Sequence, residues 1–183
     1  TILALLCAYA LNKIIMGAKI LRALYFFPVI TPWVGAGLIW VWIFNPEVGV
    51  LNWLLGLIGV GPFEWLYSTK WWVVIASIAL VNVWKGVGYS MVIYLAGLQN
   101  ISNEILEASR IDGASGWDRF TKIIIPLISP TTFMIVILST ISAFQVFDAF
   151  LVLLTTGGPR IVPDDVNCMN LMLYDTAFQF GKM

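Results

Sequence analysis

The sequence contains no histidine, only two cysteines among 183 residues, and just 11% charged residues. A soluble domain typically carries about 25% Asp, Glu, Lys and Arg, so the means to solvate a whole surface are missing. Without histidine, Ser-His-Asp triads, HExxH zinc sites and imidazole proton relays all drop out. Cys7 and Cys168 stand far apart with no metal-ligand spacing around either, so two free thiols and no metal site are expected. Ten basic residues balance ten acidic ones, which leaves nothing to suggest a nucleic-acid binder. No GxxxxGK[ST] stretch occurs, so the chain should neither bind nor hydrolyse ATP, and nothing calls for a cofactor. What is abundant is apolar: 60% of residues are hydrophobic, with nine Trp and eleven Phe, and the mean hydropathy is +0.91. An integral membrane protein follows, and in lipid that composition predicts an all-α, polytopic transmembrane helical bundle.

A spanning helix needs about 20 mostly apolar residues. Thr1 to Leu11 is half that length, and reads as the end of a helix that begins earlier in an internal piece of a longer protein. Asn12 to Arg22 is a short basic connection, followed by a span from Phe26 to Phe44 that carries Pro28 and Pro32 and closes at Asn45-Pro46. Residues 45 to 70 read as a loop with a weakly apolar middle, Leu51 to Ile58, and with Trp53 and Trp65 suited to the membrane interface. Trp71 to Leu98 is long enough to span, with its centre interrupted by Asn82, Lys85, Gly86 and Gly88. Leu127 to Leu154 is the last span, and a polar segment follows a turn at Thr155 to Pro159.

The basic residues orient these spans. Connections 12–25 and 99–126 hold three each, whereas 45–70 and 155–170 hold one each, Lys70 and Arg160. The positive-inside rule puts the first two in the cytoplasm. The 99–126 segment reads as two short amphipathic helices. Ser102 is placed to cap the first, with Glu104 in its first turn and Ile101, Ile105 and Ala108 sharing a face. Asp112-Gly113 marks a turn, Ser115 and Asp118 resemble a capping box, and Trp117, Phe120 and Ile124 form the apolar face of a second helix ending at Pro126. Patterning alone fits two roles equally, a hairpin resting on lipid headgroups or a docking site for a cytoplasmic partner.

The run Glu107-Ala108-Ser109, three residues, Gly113, nine residues and Ile123-Ile124-Ile125-Pro126 resembles the EAA motif of ABC importer permeases, with Ser109 for the second Ala and Ile125 for Leu. Leu98-Gln99-Asn100-Ile101 and Ile111-Asp112-Gly113-Ala114 resemble the same family's L-Q-x-I and x-D-G-A, and Leu154-Thr155-Thr156-Gly157-Gly158-Pro159, Tyr25-Phe26-Phe27-Pro28 and Trp42-Ile43-Phe44-Asn45 resemble its carbohydrate subfamily. The resemblance implies one permease domain over 1–183, a type I importer fold lacking its terminal spans, with 99–126 as a cytoplasmic coupling hairpin. It also implies a maltose- or glycerol-phosphate-type sugar importer in the inner membrane of a prokaryote. Its partners would be a cytoplasmic ABC ATPase dimer, a second permease subunit, usually a different chain, and an extracytoplasmic sugar-binding protein. Carried over, Glu107 would face basic groups of the ATPase, Ala108 and Ser109 would let the helix sit close, and Gly113, between Asp112 and Ala114, would supply the turn.

Polar groups at membrane depth are functional candidates by default. Lys85 and Asp148 could line the pathway, pair with each other, or, for Lys85, snorkel. Asn82, Gly86 and Tyr89 share a helical face on which Gly86 would permit close approach, and the resemblance puts this part of the helix along a sugar pocket. Ser139, Ser142 and Gln145 follow at i, i+3, i+6 and could face the same gap or make interhelical hydrogen bonds. No residue is expected to be catalytic. Other ABC importer permeases, or a channel without an ATPase, are the competing readings.

Overall fold

The computed structural model describes residues 1–13 and 17–155, together with 172, 173 and 176. Cys168, Arg160 and the Gly157-Gly158-Pro159 stretch lie outside the described residues; Cys7 is a free thiol. Every regular element among the described residues is helical. In chain order they are α1 (Ile2–Lys13), α2 (Ala18–Ile30), α3 (Trp33–Ile43), α4 (Val50–Gly56), α5 (Trp71–Gln99), α6 (Asn103–Ile111), α7 (Gly116–Leu127), α8 (Ser129–Phe144) and α9 (Asp148–Thr155). One of these, α5, is by itself long and apolar enough to cross a membrane, and the pairs α2/α3 and α7/α8 pass the same test when each is taken as one bent span.

Three spans differ from the sequence expectation, each for a local reason. The 26–44 span starts earlier, at Ala18, and breaks at Thr31-Pro32. Pro32 has no N–H and disfavours helical backbone in the residue before it; its own backbone is extended, and α3 starts only after it. In contrast, α5 is unbroken over 29 residues despite the polar and glycine positions at its centre. At 1.5 Å per residue it extends about 43 Å, more than the ~30 Å hydrocarbon core. The last span divides at 145–147, with Asp148 in the first turn of α9, where the helix dipole favours a carboxylate. Pro126, finally, does not end α7. The helix widens into a π-helical stretch at Arg119–Ile124, passes through Pro126 and bends by 66° at Ile128 into α8.

The chain forms two compact units, Thr1–Val29 with Gly86–Ile141 and Ile30–Lys85 with Ser142–Met183. The core of the first joins Ala4, Ala8 and Leu11 of α1 to Met91, Tyr94, Leu95 and Leu98 of α5 and to Phe120 and Ile124 of α7. In this unit α5 comes close to α2 at Gly88, where a Cβ would stand 2.0 Å from the Tyr25 carbonyl oxygen. The core of the second gathers Phe44, Leu66, Val74, Ile78, Val81, Ala149 and Leu153. Gly37 lets α3 meet Val152 of α9 there, since a Cβ would lie 2.3 Å from Val152 Cγ1. Along α5 the buried positions Val74, Ile78, Val81, Gly88, Met91, Leu95 and Leu98 fall on one stripe of three- and four-residue steps, with half-buried Lys85 in line between Val81 and Gly88.

The 45–70 connection is folded as well. Asn45 Oδ1 accepts from the backbone N–H groups of Glu47 and Val48 at 2.9 and 3.1 Å, an Asx turn leading towards α4. Asn52 on α4 is buried with its amide saturated. Nδ2 donates to the carbonyls of Pro46 (3.1 Å) and Phe63 (2.9 Å), and Oδ1 accepts from Phe63 N–H (3.2 Å) and Trp65 Nε1–H (2.9 Å). Nothing in the sequence marks this hub, because an isolated Asn in a weakly apolar stretch looks like any loop residue.

Candidate functional site

The α6–α7 hairpin is built as its sequence suggests at the turn. Asp112 ends α6, and Gly113 takes a left-handed φ of +76°, which L side chains rarely adopt. Gly113 N–H donates to the Arg110 carbonyl at 3.1 Å and Ala114 N–H to the Ser109 carbonyl at 3.0 Å, the paired bonds of a Schellman cap. Directly after it, Ser115 Oγ accepts from Asp118 N–H at 3.1 Å, and its hydroxyl donates to the Asp118 carboxylate. Asp118 also pairs with Lys122 one turn on, at 2.6 Å. The bonds from Lys122 and from Ser115 hold the Asp118 carboxyl below the usual carboxylate range.

The two arms differ in how they are held. Phe120 and Ile124 of α7 are buried against the membrane helices, and Phe120 meets Tyr9 of α1 at a ring distance of 4.7 Å. Trp117, expected on the same face, is instead 73% exposed. On α6 the inward positions are Leu106 and Ser109 rather than the Ile105–Ala108 face, and Ser109 is buried with its hydroxyl donating to the Leu106 carbonyl at 2.7 Å. Ser102 occupies the N-cap position without a side-chain cap bond. Glu107, Ala108, Asp112 and Gly113 are exposed, Ala114 is half-buried, and Ile111 stands 87% exposed beside them.

The candidate pathway residues fall on both units. Asn82 donates to its own helix at the Ile78 carbonyl, 2.9 Å away, while Gly86 and Tyr89 are exposed on the same side of α5. A Cβ at Gly86 would meet nothing within 4 Å; on α5 close approach is permitted instead by Gly88, two residues on, and by Gly97 against Thr131. Lys85 does not pair with Asp148; its ammonium donates to the Thr31 carbonyl at the α2/α3 break and lies 5.1 Å from the centre of the Trp33 ring. Asp148 is an exposed first-turn residue of α9, and Ser139, Ser142 and Gln145 are exposed. The described residues include no group of three or more metal-ligating side chains.

Residues 1–177 match the family model described as binding-protein-dependent transport system inner membrane component. The trehalose/maltose transport system permease protein MalF of Thermococcus litoralis is 38% identical over 175 residues, 96% of this chain and 58% of that protein. The sn-glycerol-3-phosphate transport system permease protein UgpA of Agrobacterium fabrum is 35% identical, over 86% of this chain and 53% of that one. This chain therefore spans about half the length of the curated relatives it matches. A chain of a bacterial ABC transporter involved in the import of the acidic polysaccharide alginate, solved by crystallography, shares the fold. Its TM-score is 0.83 at 23% identity, with 98% of this chain and 62% of that one covered. The motif, the helical bundle and these matches agree, and the chain belongs to the inner membrane components of binding-protein-dependent transport systems.

Proposed function

We propose that this chain is the membrane-spanning permease subunit of an ATP-driven, binding-protein-dependent sugar importer, forming half of an alternating-access pathway in a prokaryotic inner membrane. One observation carries the coupling role. The α6–α7 hairpin presents Glu107, Ala108, Ile111 and Trp117 outward, on a turn fixed by two caps and an arm buried in the transmembrane core. A rigid element exposed at one end and packed at the other can transmit displacement. A cytoplasmic ATPase dimer seated on it would move α7, and through Phe120 and Ile124 would move α1 and α5. In this arrangement Glu107 meets basic groups of the ATPase. Ser109 lets α6 lie close to its own chain, and Asp112, Gly113 and Ala114 shape the turn.

The chain itself does no covalent chemistry, and ATP is hydrolysed by the separate ATPase. A second permease of different sequence completes the pathway, and an extracytoplasmic sugar-binding protein delivers substrate. The matches to trehalose/maltose and glycerol-phosphate permeases support a saccharide or polyol phosphate as cargo. The outward face of Asn82, Gly86 and Tyr89 offers amide and phenol groups to such a molecule, with Ser139, Ser142 and Gln145 as further hydrogen-bonding candidates. Lys85 and Asp148 are further candidates for lining the pathway, Lys85 with its ammonium held on the Thr31 carbonyl. Uptake by proteoliposomes holding the full transporter tests this, with labelled maltose, trehalose and glycerol 3-phosphate offered with and without internal ATP. Uptake that requires both ATP and the binding protein is expected; uptake that continues after ATP depletion would instead identify a channel.

A further inference from the structure

The short helix α4 is inside out for water. Its polar side chain, Asn52, is turned inward and fully bonded, as described above. Its outward stripe is Val50, Trp53, Leu54, Leu57 and Ile58, at i, i+3, i+4, i+7 and i+8, and each of these is between 38% and 72% exposed. The stripe is one rigid surface through Ile58. Gly59, at φ +74°, closes the helix with paired bonds from Gly59 N–H to Gly56 and from Val60 N–H to Leu55, at 3.1 and 3.0 Å. No charged residue occurs between Glu47 and Glu64.

We propose that α4 is an interfacial helix, with this stripe sunk into the lipid leaflet beside the ends of α3 and α5 that it connects. Three observations select lipid over a protein partner. The chain enters this connection from α3 and leaves it into α5, so both ends of the segment are tied to the membrane. Trp42, near the end of α3, and Trp71 and Trp72, at the start of α5, are each more than half exposed, which marks an aromatic belt at the span ends that Trp53 extends. The stripe also offers no exposed hydrogen-bonding side chain besides the Trp53 indole, whereas a protein interface carries a polar rim and regular hydrogen bonds. A helix with an apolar outward face and a Trp at its edge meets the requirements of the headgroup and acyl boundary.

Site-directed spin labelling of the full-length permease, assembled with its partner subunits in liposomes, tests the assignment. With the native cysteines replaced, single labels are placed by Leu57→Cys, Ile58→Cys and, as a solvent reference, Glu64→Cys. At 57 and 58 the label should collide several-fold more often with dissolved oxygen than with a water-soluble nickel chelate, and the order should reverse at 64. Free access of nickel at 57 and 58 would mean that water covers the stripe and would overturn the proposal. Exclusion of both reagents, with an immobilised spectrum, would mean that a protein covers it and would overturn the proposal equally. All three variants alter exposed side chains, so each reports independently on a folded protein.

Discussion

At the scale of single residues, the packing is decided by positions whose importance depends on what lies across from them. Gly86 and Gly88 are two residues apart on one helix, yet only Gly88 faces backbone, at the Tyr25 carbonyl. Gly88→Ala forces α2 away from α5 and should cost about 1–3 kcal/mol or more through overpacking. Gly86→Ala meets open space and should be neutral, or stabilising by up to about 1 kcal/mol. Thermal unfolding of the purified variants checks the contrast; equal effects at the two positions would contradict this packing. A loss of transport without loss of stability at Gly86→Ala would place that face against cargo or a neighbouring subunit. Asn52 is the polar counterpart. Asn52→Leu strands the Phe63 N–H and the Trp65 indole N–H, at about 1–3 kcal/mol for each orphaned group. Hydrogen exchange should rise across 45–66 while the α6–α7 hairpin keeps its protection, and unchanged exchange in that loop would show that the hub does not hold it.

At the scale of elements, the parts legible in the sequence were those with local causes. The α6–α7 turn follows from a residue that must take positive φ, and the second cap from a hydroxyl three residues before a carboxylate, so 112–118 could be read directly. Breaks and faces were less legible. Pro32 and Pro126 carry the same chemical restriction, but Pro32 divides a span, whereas Pro126 sits after a π-helical stretch and is carried through. Leu106 and Ser109, rather than Ile105 and Ala108, turn inward on α6 because tertiary packing, not intrinsic pattern, decides which of two adjacent faces is covered. The outward face of α4 was hidden for a related reason, since water and lipid select opposite patterns from the same residues. One electrostatic prediction belongs here. Asp118 titrates below a free aspartate, so the stability it lends to α7 is present above the ordinary carboxylate range and is lost as pH falls through its depressed folded value. Lys122→Met should move the Asp118 carbon-13 titration midpoint upward; an unmoved midpoint would remove Lys122 as a cause.

At the scale of the whole molecule, the two ends of the α6–α7 hairpin are held differently. Buried Phe120 and Ile124 fix α7 to α1 and α5, while Glu107, Ile111 and Trp117 remain outward on a turn too well capped to yield. This is the arrangement expected of a lever whose other contact lies on a separate protein, in the proposed function the ATPase. The most direct measurement is substrate-stimulated ATP hydrolysis and uptake by the reconstituted transporter, comparing wild type with Glu107→Arg and Gly113→Pro and scoring ATPase retention in the same preparations. Glu107 is exposed and outside the core, so Glu107→Arg should leave the permease folded while abolishing the stimulation of hydrolysis, and Gly113→Pro should release the ATPase altogether. Full stimulation and full retention in both variants would contradict the account, because the hairpin would then have no part in coupling.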